Sequence, residues 1–503
     1  CRCHDHKFDP ISQKEYYQMS DFFNQTSEEG IGYNGRIKPV LDLSDTIDQI
    51  EVRKIEKLIE DKNQELSEFE REKFPRKDGL TAAESEEAAD LNGDNLFALG
   101  FDPIKRNPYY LRLLSDHFKS RDPEYYEKLK AFRSLIGDKD RMTAENLQVM
   151  VMDQLERPRT SYILERGIYD KRGETVTAET PAALPSMDGT VAKDRLALAQ
   201  WLFSDTHPLT ARVTVNRFWQ AIFGVGLVKT PGDFGVQGAR PTHPELLDWL
   251  AVYIKESGWN VKDLLKKIVM SATYRQSSQV THEQLEKDPE NKWLSHATRY
   301  RWPSWMLRDQ ALDISGLIND SIGGPPVKPY QPPGIWEEAT FGFKKYDQDH
   351  GAKLYRRTLY VFWRRIVGPT MLFDNAARQT CEVKPLRTNT PLHALTTLND
   401  ITYVEASRVM AERIMLARDQ DSDRIDLAFR LATARYPQKQ EKEILESRLA
   451  SLQSKFSQNR QEAIALLHVG EYPQNNELDI IEQASYAALC SVILNLDEVL
   501  SRQ

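Results

Sequence analysis

The sequence predicts a mainly α protein: a multi-helix domain with a few short strands and a long charged helical insertion. Three observations carry this. Beyond residue 191, apolar residues recur at three- and four-residue spacing between repeated start and stop signals. Residues 45–74 combine dense charge with a helical apolar stripe. Residues 157–190 carry β-branched residues, few helix formers and several turn signals, which predicts only a short strand. The composition, 40% apolar and 28% charged, suits a globular chain able to bury large cores, and 503 residues allow several domains.

The elements follow in chain order. Residues 1–40 form a small domain end carrying a Cys/His motif. In "SQKEYYQMSDFFN" the spacing predicts a helix with Tyr16, Met19 and Phe23 on one face, and Gly30, Gly32 and Gly35 mark a loop. Residues 41–156 are a charged helical insertion or linker. Ile47, Ile55, Leu58, Ile59, Leu66 and Phe69 predict one long amphipathic helix, an arm of an antiparallel hairpin. Residues 157–190 read as an extended linker with a short strand near Tyr162–Leu164.

Residues 191–503 form the large helical domain. "THPLTARVTVNRFWQAIFGVG" starts at Thr206 and Pro208 and ends at Gly224, with Ala211, Val215, Phe218 and Ile222 inward. Thr242 and Glu245 are spaced as a capping box, and Thr390 with Pro391 opens a further helix. "YRRTLYVFWRRIVGP" reads as a strand or an apolar helix start, with Arg356, Arg357, Arg364 and Arg365 as a local basic patch. The glycine-punctuated loop "GDFGVQG" has no kinase context around it.

Several classes are disfavoured. A net charge of −8 argues against nucleic acid as partner. The most apolar stretch, Ala484–Leu500, is broken by Ser, Asn, Asp and Glu, so it reads as a core helix and the chain has no membrane span. Four cysteines are no disulfide framework; Cys490 suits core packing, and Cys381 core packing or a free thiol. Because residue 1 is Cys1, the chain is expected to be a fragment or processed product with no signal peptide to read. No hydrolase or metalloprotease motif is present, and whether the helical domain is catalytic is left open.

The opening "CRCHDHKFDPISQKEYYQM" concentrates the chemistry. Cys1-Arg2-Cys3-His4 is one residue short of the C-x-x-C-H pattern, in which two thiols attach a haem and the adjacent imidazole binds its iron. The same atoms suit a non-haem metal: Cys1, Cys3, His4 and His6 are ligands for zinc or another transition metal, with Asp9 able to orient an imidazole.

The helical domain offers a second candidate. Arg212, Asn216 and Gln220 recur at i, i+4 and i+8 as a polar stripe beside Arg217, and Arg with Asn suits carboxylate, sulfate or sugar hydroxyls. Trp219, His243, Arg387 and Asn389 complete the candidate groove, with an anionic polysaccharide as its partner. His207, His243 and His393 lie at helix starts, where the dipole favours neutral imidazole.

The opening stretch resembles the C-R-C-H-D-H-K-F-D-P-I segment of planctomycete-type cytochrome c proteins, in which a cytochrome-like domain precedes two paired domains of unknown function. "RLALAQWLFSDTHPLTARVTVNRFWQAIFGVGLVKTPGDFGVQGARPTHPELLDWLA", "SATYRQSS", "RTNTPLHALTTLND" and "VILNLDEVL" are similar to the second of those domains. The likeness covers residues 1–30 and roughly 160–503. It implies haem c, with Cys3 as the second attachment cysteine, His4 as the iron ligand, His6 as the second histidine and Cys1 at an interior position, the first cysteine lying before residue 1. It further implies an extracytoplasmic location, periplasmic or at the cell surface, and a redox role with an unidentified partner protein. The alternatives are an extracytoplasmic module that binds or processes polysaccharide, and a structural metal protein.

Overall fold

Ser12 and Glu15 start the first helix. The Ser12 side chain accepts from the Glu15 N–H, and the Glu15 carboxylate accepts in return from the Ser12 N–H. In the computed structural model, residues 1–28, 39–43, 46–75, 88, 91–144, 148–187, 189, 192–364, 367–369, 371–374, 381–383 and 387–502 are described. The glycine loop at 30–35 and Arg365 lie outside them. The described chain is mainly α with three two-stranded sheets, and it forms two units, Cys1–Trp201 and Leu202–Gln503. The sequence placed a boundary at 190/191; the units divide at Trp201/Leu202.

In the first unit, α1 (Gln13–Asn24) buries Tyr17, Asp21 and Phe22. The expected face was one residue out: Tyr16 and Phe23 are exposed. Polar anchoring explains the shift. The Tyr17 hydroxyl donates to the Arg2 carbonyl at 3.0 Å, and Asp21 accepts from Gln25 Nε2 at 2.7 Å. The strand expected near Tyr162–Leu164 is β3 (Ser161–Leu164). It pairs antiparallel with β4 (Arg172–Val176). Another strand pair, β1 (Val40–Asp42) with β2 (Gln148–Met150), sits at the base of a helical segment.

That segment holds α2 (Thr46–Lys73), α3 (Gly93–Leu99), α4 (Pro108–Phe118) and α5 (Pro123–Ala144). Helices α2 and α5 are antiparallel. Glu56 pairs with Lys139, Glu65 with Lys128, and Lys73 with Asp122, in opposite chain order. Ile59, Leu66, Phe118, Leu129 and Phe132 form its core. Inside it, Glu70 and Arg106 are fully buried and doubly bonded, and the Tyr125 hydroxyl donates to Glu70 Oε1 at 2.6 Å. Helix α6 (Arg195–Leu202) follows.

In the second unit, α7 (Thr210–Phe223), α8 (Pro244–Glu256) and α9 (Val261–Val269) share a core of Val215, Phe223, Leu250, Ile254 and Leu264. After the short α10 (His282–Lys287), α11 (Ser304–Ser315), the one-turn α12 (Ile335–Ala339) and α13 (Pro391–Asn399), the helices α14 (Ile401–Ala417), α15 (Asp421–Thr433), α16 (Lys439–Gln458), α17 (Arg460–Leu467) and α18 (Ile480–Leu494) bury a second core around Met410, Ile414, Phe429, Tyr486 and Cys490. The final α19 (Asp497–Leu500) leads into β6 (Ser501–Arg502), which pairs with β5 (Tyr300–Arg301). Among the described residues no helix is long and apolar enough to cross a membrane.

Three local expectations change. The start of α8 has no side-chain cap; His243 occupies the cap position, and the Thr242 N–H instead donates to the Leu227 carbonyl. Residues 351–360 form two short 3-10 turns rather than a strand or an α-helix. The expected basic patch loses Arg356, which is buried. Its guanidinium lies 3.8 Å from the Tyr360 ring centre and donates to the carbonyls of Ser321, Gly323 and Pro325.

Candidate functional site

Two sites are candidates, one in each unit. At the amino end the chain is pinned to α1 and β3. Gln13 Nε2 donates to the carbonyls of Arg2 and Leu164, and Arg2 Nη2 donates to the Gly167 carbonyl. Gly167 takes a positive φ of 72°, and an added Cβ would stand 3.2 Å from Cys3 Sγ, so only glycine admits this approach. Cys3 and His4 are exposed. His4 Nδ1 donates to the Asp5 carbonyl at 2.6 Å, leaving Nε2 without a hydrogen bond. Asp9 belongs to His6: its N–H donates to His6 Nδ1 at 2.9 Å and its Oδ2 lies 3.2 Å from the same nitrogen. Cys1 Sγ faces the Ile11 carbonyl at 3.6 Å.

The His4 side chain is arranged so that one ring nitrogen stays available. An imidazole whose Nδ1–H is held by a carbonyl presents Nε2 to a metal in the proper tautomer, and an accessible thiol stands one residue before it. Among the described residues, no three His, Cys, Asp or Glu side chains converge to hold a bare ion.

The second site is a cavity of about 750 Å³ in the Leu202–Gln503 unit. Helix α7 supplies Arg217 and Gln220, one turn apart. Strand β5 supplies Tyr300 and Arg301, held by the pairing of Tyr300 with Arg502 and of Arg301 with Ser501. Trp302 and Trp305 continue this wall, and Asp374, Cys381, Glu382 and Arg387, later in the chain, also line the cavity. Gly224 ends α7 at φ 81°; a Cβ there would lie 2.8 Å from the Tyr300 ring and 3.0 Å from Arg387 Nη1. Its absence lets Arg387 stack at 4.2 Å over Tyr300.

Arg301 is the central group. Its Nη1 donates to Asn389 Oδ1 at 2.7 Å, and its guanidinium sits 5.5 Å from the Phe373 ring. Its Nε and Nη2 are buried and have no hydrogen-bond partner among the described residues. Burial lowers its pKa, against the pull of Asp374. Asp374 in turn accepts from both the N–H and the hydroxyl of Thr388 at 2.7 Å. Burial lowers Arg387 too. Neither Arg217 nor Arg387 makes a hydrogen bond or ion pair among the described residues. Gln220 is 8% exposed, and its Oε1 is buried without a partner.

The structure divides the groove expected from sequence. Arg217 and Arg387 line the cavity, and Asn389 stands behind Arg301. Four residues are placed elsewhere. Arg212 pairs with Asp248 at 2.6 Å. Asn216 is fully buried, clamping the Val228 backbone with bonds of 3.0 and 2.8 Å. Trp219 stacks on Phe223 in the core. His243 Nδ1 contacts the Thr242 hydroxyl. The polar stripe on α7 therefore faces inward at Asn216 and Gln220, not water. Cys381 is exposed on the cavity wall rather than packed in a core. Sequence reasoning missed Tyr300, Arg301, Trp302, Trp305 and Asp374, although "TRYRWPSWM" is visibly dense in arginine and aromatic residues.

The basic–aromatic character of the cavity is joined by what known families show. The PSD1 model, described as a protein of unknown function (DUF1553), matches residues 194–449. The PSCyt2 model, also described as a protein of unknown function (DUF1549), matches residues 1–28. Neither curated proteins nor solved structures gave a match. The two families are the paired domains that the sequence resembles, and the PSD1 match takes in the α7 and β5 walls and Arg387. Spanning just over half of the residues, it shows that this chain belongs to the PSD1 family of proteins of unknown function (DUF1553).

Proposed function

We infer that the Leu202–Gln503 unit binds an anionic saccharide in the 750 Å³ cavity. One observation carries the reading: the Nε–Nη2 edge of Arg301 is buried and unbonded. A buried donor without an acceptor costs roughly 1–3 kcal/mol. Arg301 lines the cavity; a turn of its side chain brings that edge to the cavity, where a carboxylate or sulfate ester meets it with two parallel bonds. Arg217 and Arg387 add positive charge without acceptors of their own. Tyr300, Trp302 and Trp305 offer flat apolar faces. A sugar ring is apolar on its C–H face and polar at its rim, so it suits an aromatic wall beside guanidinium groups. The cavity is of the size that takes drug-sized ligands.

The test is calorimetric titration of the protein with four ligands of similar size: an oligouronate, a sulfated oligosaccharide, an uncharged oligosaccharide and a nucleoside diphosphate. The reading expects the acidic sugars to bind and the uncharged one to bind at least tenfold more weakly. Binding of the nucleotide alone would contradict it.

A second reading rests on His4. We propose that Cys3 and His4 serve haem c attachment and iron ligation in an extracytoplasmic redox protein, on the ground of the His4 Nδ1 bond to the Asp5 carbonyl. The haem supplies electron transfer; this chain supplies a fixed imidazole and an accessible thiol. After expression with haem-attachment machinery and all natural upstream residues, a Soret band lost in His4→Ala supports it. A colourless product contradicts it.

A further inference from the structure

Resting on the anionic-saccharide reading, we propose that the cavity recognises a specific pair of neighbouring ligand groups: an oxyanion on Arg301 and a free hydroxyl on Gln220. The ligand class is then a sugar acid or sugar sulfate whose charged group is flanked by an unsubstituted hydroxyl.

Gln220 carries this step. It lines, from α7, the same cavity as Arg301 and is more than nine-tenths buried. Its Oε1 is shut off from solvent and has no partner. Among the described residues its Nε2 makes no hydrogen bond either. An amide so placed is costly unless something completes it. Its neighbours on α7 show what completion looks like. Asn216, one turn earlier, satisfies both ends of its amide on the Val228 backbone. Gln220 Oε1 has no such partner among the described residues.

A hydroxyl is the group that fits. It both donates and accepts, so it satisfies an amide presented either way round. Rotation about the terminal torsion of glutamine, which is broad and two-fold, exchanges the two ends at the cavity wall. A second carboxylate would accept only, and would leave the oxygen orphaned. Charge and hydroxyl recognition are thereby assigned to different side chains: Arg301 for the anion, Gln220 for the hydroxyl beside it. A site built to bond a hydroxyl rejects an analogue that lacks one far more strongly than an apolar pocket rejects an extra methyl.

The experiment uses the full chain and three probes: an oligouronate, the same oligouronate with its hydroxyls O-methylated, and a sulfated oligosaccharide with free hydroxyls. Wild-type protein should bind the free oligouronate at least tenfold more tightly than its methylated form. Gln220→Leu, close in volume, should reduce that preference to below threefold while still favouring acidic over uncharged sugar. The sulfated probe separates the two oxyanion sources: binding equal to the uronate assigns a general oxyanion, weaker binding a carboxylate. Equal affinity of wild type for free and methylated uronate would overturn the hydroxyl assignment, whatever the fate of the variant. Failure of every acidic sugar to bind would overturn the anionic-saccharide reading and this assignment together. A preference left intact in a folded Gln220→Leu would overturn this assignment alone.

Discussion

At the scale of single residues, the decisive feature is a polar atom that folding leaves without a partner. Among the described residues Arg301 carries two such atoms, and Gln220 and His393 carry one each. His393 stacks at 4.0 Å on Phe373, the ring that also faces Arg301. Burial lowers its pKa from the ordinary value of 6.5, outweighing Asp374, whose Oδ1 lies 3.9 Å away. The unfolded chain therefore takes up a proton at a higher pH than the folded one. Its contribution to stability is complete above about pH 6.5 and declines as the pH falls through the folded value. Denaturant unfolding at pH 7.5 and 5.0 checks this. Wild type should lose more stability on acidification than His393→Gln; equal losses would contradict it. His207 is lowered by burial as well, so the variant should reduce the pH dependence without abolishing it.

Legibility at this scale was uneven. At His207 and His393 burial lowers the pKa, the direction that the dipole argument expects at a helix start. Arg301 could not be read, because its meaning lies in a strand pairing with the distant Ser501 and in Asn389, 88 positions later. No local pattern reports such distant partners. Asn216 misled for the opposite reason: an amide on a helix looks like a solvated face until its backbone partner, Val228, is known.

At the scale of elements, helix and strand identities were accessible and faces less so. The long charged helix, its antiparallel partner and the short strand near 162–164 all follow from period and turn chemistry. The face of α1 did not, because two polar anchors, Tyr17 and Asp21, outweighed apolar spacing. The α2–α5 hairpin shows the same contest inside a core. The Glu70–Arg106 pair sits where apolar packing would be expected, and Tyr125 completes the carboxylate. Removing one member strands the other charge in a low-dielectric interior, at roughly 3–5 kcal/mol. Glu70→Gln should therefore lower the stability of the Cys1–Trp201 unit by about 3 kcal/mol or more in equilibrium urea unfolding. The exposed Glu65, held down at about 2 mainly by Lys128, sets the contrast. Glu65→Gln should cost less than about 1 kcal/mol, as exposed ion pairs do. Similar losses in both variants would contradict this reading of the hairpin.

At the scale of the molecule, the chain divides its chemistry between two units: a Cys/His segment in the first, and a basic–aromatic cavity in the second. An acidic total of −8 conceals a cavity that, among the described residues, sets three guanidinium groups against two carboxylates, one of which is occupied by Thr388. Net charge alone would have steered attention away from anionic ligands. The central claim is that Arg301 holds the anion of a bound sugar. The most direct measurement is a titration of wild type and Arg301→Gln with one acidic oligosaccharide at low and high salt. The account predicts that wild type binds, weakens as salt rises, and loses at least tenfold affinity in Arg301→Gln with the fold retained. Equal affinity in the two proteins would contradict it.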